Sequence, residues 1–206
     1  MTEMVSEHDP QALQKAIDII LAGEIVAFPT DTVYGIGASA FNVNAIQKLF
    51  SVKGRDENKA IAILLADAGQ LPQVCVNIPN YAERLASAFW PGALTLVLPR
   101  HPSVPDILSP LPTIGVRIPD HPFAQVLIRS CGPLAVTSAN ISGQPSATNA
   151  AEVLQQLDGL LPLVIDGGEA RVGIASTVVD CTGLTFKILR PGAIDEKMLQ
   201  YALVEG

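Results

Sequence analysis

The sequence predicts an α/β protein built on one mixed β-sheet covered by helices. Short apolar segments typical of buried strands alternate along the chain with segments of helical period. The last strands are joined by short turns, which favours antiparallel pairing, so the sheet is expected to be mixed. The 206 residues contain no linker, repeat or low-complexity tract, which predicts a single domain over residues 1–206.

In the first half of the chain, residues that favour helix ends mark the predicted helices. Asp9 is predicted to cap a first helix, with Pro10 at its first position and Gly23 just after its end. Asn42 or Asn44 is predicted to begin a second helix. The other elements predicted here are strands over 25–28, 60–65 and 94–98 and a helix from Asn80 to Trp90.

The second half begins with a proline-rich loop over 99–112 and an alternating strand over 113–118. In that strand the polar residues Thr113 and Arg117 share one face, while the three apolar residues at even positions share the other. The remaining predicted elements are a helix over 122–130, a strand over 133–139, a helix begun by Asn149, strands over 161–166, 176–181 and 186–190, and a final helix capped by Asp195.

Composition excludes several classes of protein. A net charge of −7 disfavours a nucleic-acid coat protein. The longest apolar run, 60–66, is far shorter than the roughly 20 residues of a membrane-spanning helix, and the acidic N-terminus is unlike a signal peptide. The three cysteines and three histidines are scattered, so we expect reduced thiols, a cytoplasmic location, and neither a metal site nor a membrane partner.

Polar segments that follow the predicted strands are the candidate ligand sites, because ligands of α/β proteins bind beyond strand ends. Residues 29–37, PTDTVYGIG, form either a polar turn with tightly packed glycines or a binding loop. Lys53, Arg55 and Lys59 form either a clamp for a polyanion or a solvated helix end.

Two arginines lie on otherwise apolar strand faces. Arg117 and Arg190 therefore either bind a carboxylate or phosphate or form structural salt bridges. The loop over 137–146 is rich in hydroxyls and amides, which suits a nest of hydrogen-bond donors. Neither a GxSxG nor a GxxxxGK[ST] motif is present. These features together predict a phosphate-binding α/β enzyme.

In order and spacing, seven segments resemble the YrdC family of threonylcarbamoyl-AMP synthases over about residues 10–195: PTDTVYGIG, the K-G-R segment, WPGALTLVL, TIGVRIPDHP, TSANISGQPS, the S-T-V segment and RPGAI. The resemblance implies an open twisted mixed sheet flanked by helices, with a large concave pocket. It implies that L-threonine, bicarbonate and ATP, with Mg²⁺, yield threonylcarbamoyl-AMP and pyrophosphate. Transfer proteins would then move the threonylcarbamoyl group to tRNA beside the anticodon, and tRNA is a further expected partner.

Matched residue by residue, the resemblance implies catalytic roles for Lys53 and Arg55. It implies ATP contacts from Arg55, Lys59, Thr113, Ser138, Asn140, Ser146 and Arg190, and L-threonine contacts from Thr32, Leu64, Arg117, Val136 and Ser176. The chain departs from the family at Asp56 and Ala60, where many members carry proline, and at Leu64, which is often polar. Two alternatives stay open, namely a paralogue acting on another acyl-adenylate and a non-catalytic RNA-binding module.

Overall fold

A computed structural model describes residues 1–54, 56 and 59–204. The described strands are β1 (Glu3–Ser6), β2 (Val26–Phe28), β3 (Gly35–Ser39), β4 (Ala62–Leu64), β5 (Leu94–Pro99), β6 (Thr113–Arg117), β7 (Leu134–Ser138), β8 (Leu163–Asp166), β9 (Thr177–Asp180) and β10 (Lys187–Arg190). The described helices are α1 (Ala12–Leu21), α2 (Val43–Lys53), α3 (Leu71–Val74), α4 (Asn80–Phe89), α5 (Pro122–Cys131), α6 (Ala150–Leu157) and α7 (Glu196–Val204). Of these helices, none is long and apolar enough to cross a membrane.

All the described strands join in one sheet, in the order β1-β8-β2-β3-β7-β4-β6-β5-β9-β10. The pairs β1–β8, β2–β8, β4–β6 and β5–β9 are parallel, and the other pairs are antiparallel. The predicted mixed α/β sheet is therefore confirmed, including the antiparallel pairing of the last two strands, which a short connection joins.

Helices cover the two faces of this sheet unequally. On one face, Leu49 of α2, Leu85 of α4 and Leu199 of α7 belong to a large apolar cluster with the strands. On the other face, α1 and α5 pack in a smaller cluster that extends only as far as Leu64 of β4 and Val136 of β7. Because burial of this second face stops midway, the face toward β6, β5 and β9 is available to border a cavity.

Two strands were not predicted from the sequence. In β1 only Val5 is buried, so its pattern carries little signal. The segment PTDTVYGIG is expected to be a turn or a loop throughout, but Gly35 and Gly37 lie in β3. A Cβ at Gly35 would come within 2.7 Å of Val136 Cγ1, and one at Gly37 within 2.8 Å of Phe28 Cε1. Because the two glycines carry no side chain, the side chains of Val136 and Phe28 can pack directly against the backbone of β3.

Three of the predicted helix caps are confirmed and one is wrong. The side chains of Asn42, Asn149 and Asp195 accept hydrogen bonds from backbone N–H groups three residues ahead. The first helix instead begins at Ala12, because the Asp9 carboxylate accepts from the N–H of Gln11 and closes a turn before the helix.

Candidate active site

A cavity of about 400 Å³ lies on the half of the sheet face that helices leave uncovered. Small residues of adjacent strands form its floor, among them Gly35 of β3, Ala62 of β4 and Gly115 of β6. A Cβ at Gly115 would lie 3.2 Å from Thr95 Cγ2 and 3.5 Å from Ala62 Cβ, so the floor is already closely packed. Larger side chains here would project into the cavity, and the small residues therefore create its depth.

Strand β6 gives the cavity two chemically different ends. Thr113 and Arg117 both line it, as predicted from their shared face, whereas Ile114 and Val116 are buried in the core behind it. Four residues along a strand span about 13 Å. Arg117 pairs in register with Leu64, and Thr113 with Pro99. The cavity can therefore hold an extended ligand with one group at the Arg117 end and another at the Thr113 end.

Arg117 is held by three groups at its end of the cavity. Its Nε donates to Gly92 O at 2.8 Å, its Nη1 to Thr32 Oγ1 at 2.8 Å, and its Nη2 to a carboxylate oxygen of Asp31. Asp31 also accepts from the N–H of Asp120 at 3.1 Å. Burial lowers the pKa of the Arg117 guanidinium, and the Asp31 carboxylate opposes that shift. This is the predicted structural salt bridge, formed by a guanidinium that also lines the cavity.

Two more hydroxyl groups, from Thr95 of β5 and from Ser176 just before β9, line the cavity wall beside Arg117. Thr95 Oγ1 and Ser176 Oγ are 2.8 Å apart, and both residues line the cavity. Arg190 donates to Ser176 O through Nη2 at 2.8 Å and to Ser176 Oγ at 3.2 Å. Burial lowers the pKa of Arg190. The second predicted arginine thus holds the backbone that carries Ser176, and it contributes positive charge to this wall.

Four more of the expected residues line the same cavity. They are the hydroxyl-bearing residues Ser138 and Ser146 and the apolar residues Leu64 and Val136, of which Leu64 lies beside Arg117 in the sheet. Val136 lies in β7, which pairs with β3 on one side and with β4 on the other. Its backbone is therefore part of the sheet, and its side chain borders the cavity. Nine of the thirteen expected residues therefore lie together around one cavity.

Lys53 and Asn140 lie beside the cavity wall and not in it. The ammonium of Lys53 is buried and donates to Ser138 O, to Asn140 O at 2.6 Å and to Asn140 Oδ1 at 3.2 Å. Asn140 Nδ2 donates to Ile141 O and Gln144 O. The two side chains thus fix the loop that follows β7, and the expected catalytic role of Lys53 stays a prediction.

The remaining expected cations belong to the segment after α2. Lys59 is exposed and outside the cavity wall, and its backbone N–H donates to Asp56 O at 2.9 Å. Arg55 lies outside the described residues, so its expected contact with ATP stays a prediction. Ala60, at a position where many family members carry proline, lines the cavity.

Sequence reasoning missed the partners of the expected residues, above all Thr30, Asp31 and Thr95. The alternation of LTLVL places Thr95 and Val97 on the cavity face, which was a usable signal for Thr95. No local pattern pointed to Asp31, because its partner Arg117 lies 86 residues away.

The connection between β8 and β9 also contributes to the site. Six strands lie between β8 and β9 in the sheet, so residues 167–176 must cross the molecule. The N–H of Val172 donates to Asp31 O, Arg171 contacts Asp120, and Ala175 and Ser176 line the cavity. This crossing therefore passes the Arg117 end and brings Ser176 to it.

Tyr34 anchors the start of this connection. Its hydroxyl donates to Gly168 O at 2.8 Å and accepts from the N–H of Gly167 at 3.0 Å. Burial raises the pKa of Tyr34 from 10.0 to about 12. The folded state therefore binds this proton more tightly than the unfolded state, so its contribution to stability is complete below pH 10 and is lost as the pH rises from 10 to about 12.

We expect Tyr34→Phe to lower the free energy of unfolding by about 1–2 kcal/mol at neutral pH, because Gly167 N–H and Gly168 O lose their partner. We also expect the variant to lose less stability than the wild type between pH 10 and 12. Urea unfolding at several pH values measures both effects, and identical pH profiles for the two proteins would contradict the second.

Comparison with known proteins agrees with this geometry. The model of the Sua5/YciO/YrdC family, described as "Telomere recombination", matches residues 18–192. A Bacillus subtilis relative named threonylcarbamoyl-AMP synthase is 42% identical over 203 residues, which are 97% of this chain and 58% of that protein. The structure of P. abyssi Sua5 complexed with L-threonine matches with a TM-score of 0.94 and 41% identity, over 100% of this chain and 61% of that one.

The structure of E. coli YciO matches with a TM-score of 0.87 and 26% identity, over 97% of this chain and 100% of that one. The present chain spans about three fifths of the lengths of the B. subtilis and P. abyssi proteins. The family model covers most of the chain, and the open mixed sheet flanked by helices is the fold of these solved structures. This chain is a member of the Sua5/YciO/YrdC family.

Proposed function

We propose that this protein is a threonylcarbamoyl-AMP synthase, which converts L-threonine, bicarbonate and ATP to threonylcarbamoyl-AMP, pyrophosphate and water. The observation that carries the proposal is the two-ended cavity, in which Arg117 and Thr32 lie at one end and Thr113 at the other, with Ser138 and Ser146 also in its lining. The name of the B. subtilis relative and the L-threonine complex of P. abyssi Sua5 support the same reading.

In the proposed complex the amino acid lies at the Arg117 end. Arg117 would hold the substrate carboxylate, because a guanidinium offers a planar set of donors that fits a carboxylate. Thr32 and Ser176 would bind polar groups of the same substrate, and Leu64 and Val136 would contact its methyl group. Its amine would face the middle of the cavity, toward the nucleotide.

The proposed reaction needs no protein nucleophile. The threonine amine attacks the carbon of bicarbonate, so that an N–C bond forms, water leaves and a carbamate results. A carbamate oxygen then attacks the α-phosphorus of ATP, and the bond from this phosphorus to the bridging oxygen breaks, releasing pyrophosphate with that electron pair. The protein contributes by holding the reactants close together and by placing positive charge and hydrogen-bond donors around the phosphates.

We propose that ATP binds at the Thr113 end, with Ser138, Ser146 and Arg190 as contacts and with Arg55 and Lys59 on the phosphates. In this proposal Mg²⁺ accompanies ATP and is ligated by its phosphate oxygens. Among the described residues, no group of three His, Cys, Asp or Glu side chains could hold a metal. Lys53 and Asn140 would act through the loop after β7 that they hold.

We further propose that residues 1–206 form one functional unit, since all the described strands belong to one sheet. Its product would pass to transfer proteins that modify tRNA beside the anticodon, which implies contact with those proteins or with tRNA itself. Because tRNA is cytoplasmic and the three cysteines form no disulfide among the described residues, we propose a cytoplasmic location.

The test is pyrophosphate release by the purified protein with ATP, Mg²⁺, L-threonine and bicarbonate. We expect release to require both threonine and bicarbonate, because the carbamate must form before the α-phosphorus is attacked. Chromatography should identify threonylcarbamoyl-AMP as the second product.

Omitting threonine and omitting bicarbonate are the matched controls. Equal pyrophosphate release without threonine would contradict the proposal and would favour a paralogue that acts on another acyl group. Binding of tRNA that weakens with salt, without any turnover of ATP, would favour the RNA-binding module instead.

A further inference from the structure

The hydroxyl groups of Thr30 and Thr32 form a hydrogen-bonded pair at the Arg117 end of the cavity. Their Oγ1 atoms are 3.1 Å apart, and both residues line the cavity while being almost fully buried. Thr30 Oγ1 also lies 2.6 Å from Val33 O. A backbone carbonyl oxygen can only accept, so the single hydroxyl proton of Thr30 is donated to Val33.

This assignment fixes the direction of the remaining bonds. Since the proton of Thr30 is committed to Val33, Thr32 must be the donor in the contact between the two hydroxyls. Thr30 Oγ1 also lies 3.3 Å from the N–H of Thr32, so both of its lone pairs have donors. Thr32 Oγ1 in turn accepts from Arg117 Nη1 at 2.8 Å. Thr32 therefore retains one lone pair and has no proton to offer a ligand.

We propose that Thr30 is a positioning residue that determines selectivity for a hydroxylated amino acid, because it fixes Thr32 as an acceptor for the hydroxyl proton of the substrate. This inference rests on the proposed function and identifies how the substrate hydroxyl is recognised. A carboxylate cannot donate, so Thr32 cannot help Arg117 hold that group. The amine faces the nucleotide end, where it is carboxylated, which leaves the side-chain hydroxyl as the donor near Thr32.

The test is a cycle that combines a protein variant with a substrate change. Thr30→Val removes the hydroxyl and keeps the shape of the side chain, and 2-aminobutanoate is L-threonine without its hydroxyl. Dissociation constants for both amino acids are measured by titration calorimetry without ATP, on the wild type and on Thr30→Val. Thr30→Ser, which keeps the hydroxyl, is the conservative rescue, and Thr113→Val is the matched change at the other end of the cavity.

We expect Thr30→Val to weaken L-threonine binding about tenfold and 2-aminobutanoate binding by less than about threefold, since only threonine presents the hydroxyl that Thr32 accepts. Thr30→Ser should stay within about threefold of the wild type for both ligands. Thr113→Val should leave the ratio of the two dissociation constants unchanged. Thermal unfolding of each variant confirms that it is folded before binding is compared.

If Thr30→Val raised the dissociation constants of L-threonine and 2-aminobutanoate by the same factor, the inference would be overturned. Thr30 would then act only on the fold or on the contact with the substrate carboxylate. Equal binding of the two ligands by the wild type would overturn it as well. Pyrophosphate release measured on the same samples tests the proposed reaction separately. A protein that binds threonine with the expected coupling yet releases no pyrophosphate would refute the proposed function and leave the role of Thr30 intact.

Discussion

Arg117→Ala is expected to lower the free energy of unfolding by about 3–5 kcal/mol and to weaken L-threonine binding by a factor on the order of 10²–10³. The stability loss follows because removing one partner of a buried ion pair leaves the Asp31 carboxylate buried without its counter-charge. The binding loss follows because the substrate carboxylate loses its charged hydrogen-bond partner. Urea unfolding and titration calorimetry measure the two effects.

Two further variants separate stability from binding. Arg171→Ala removes an ion pair of the same chemistry, with Asp120, but both of those side chains are more than half exposed, so we expect a loss below about 1 kcal/mol. Asp31→Asn keeps the Arg117 guanidinium and removes its counter-charge, so it should destabilise the fold while preserving threonine binding. An Arg117→Ala protein with wild-type stability and wild-type threonine affinity would contradict this account of the pair.

Lys53→Met is expected to lower the free energy of unfolding by about 3 kcal/mol or more. The ammonium is buried and donates to Ser138 O and to both oxygens of Asn140. Ser138 O keeps the N–H of Asn140 as a donor, whereas each Asn140 oxygen that loses its donor costs about 1–3 kcal/mol. The loop after β7 would then be held to the end of α2 less firmly, through the backbone bond from Ser142 N–H to Lys53 O, so we also expect pyrophosphate release to fall. Urea unfolding and the pyrophosphate assay are measured on the same variant.

Lys48→Met is the matched control on the same helix. Lys48 pairs with Glu24 at 2.6 Å, and both side chains are partly exposed, so its replacement should cost less than about 1 kcal/mol. A Lys53→Met protein that unfolds like the wild type but releases no pyrophosphate would support the other reading, in which Lys53 acts on the phosphates directly.

Much of the fold could be predicted from the sequence because its signals are local. The alternation of polar and apolar residues in 113–118 identifies the polar side of β6. The caps at Asn42, Asn149 and Asp195 depend on hydrogen bonds between residues only three positions apart. Strand β3 could not be predicted in this way, because its glycines are explained by Val136 and Phe28, which other strands bring beside them.

Local patterns in the sequence are enough to predict the mixed α/β class and the polar face of Thr113 and Arg117, and the motifs identify the family. The partner of each buried charge becomes known only from the folded chain, since Arg117 contacts Asp31 across 86 residues and Lys53 contacts Asn140 across 87. Periodicity and capping depend only on residues a few positions apart in the sequence. The partner of a buried charge depends on strand order and register, which the packing of the whole sheet sets.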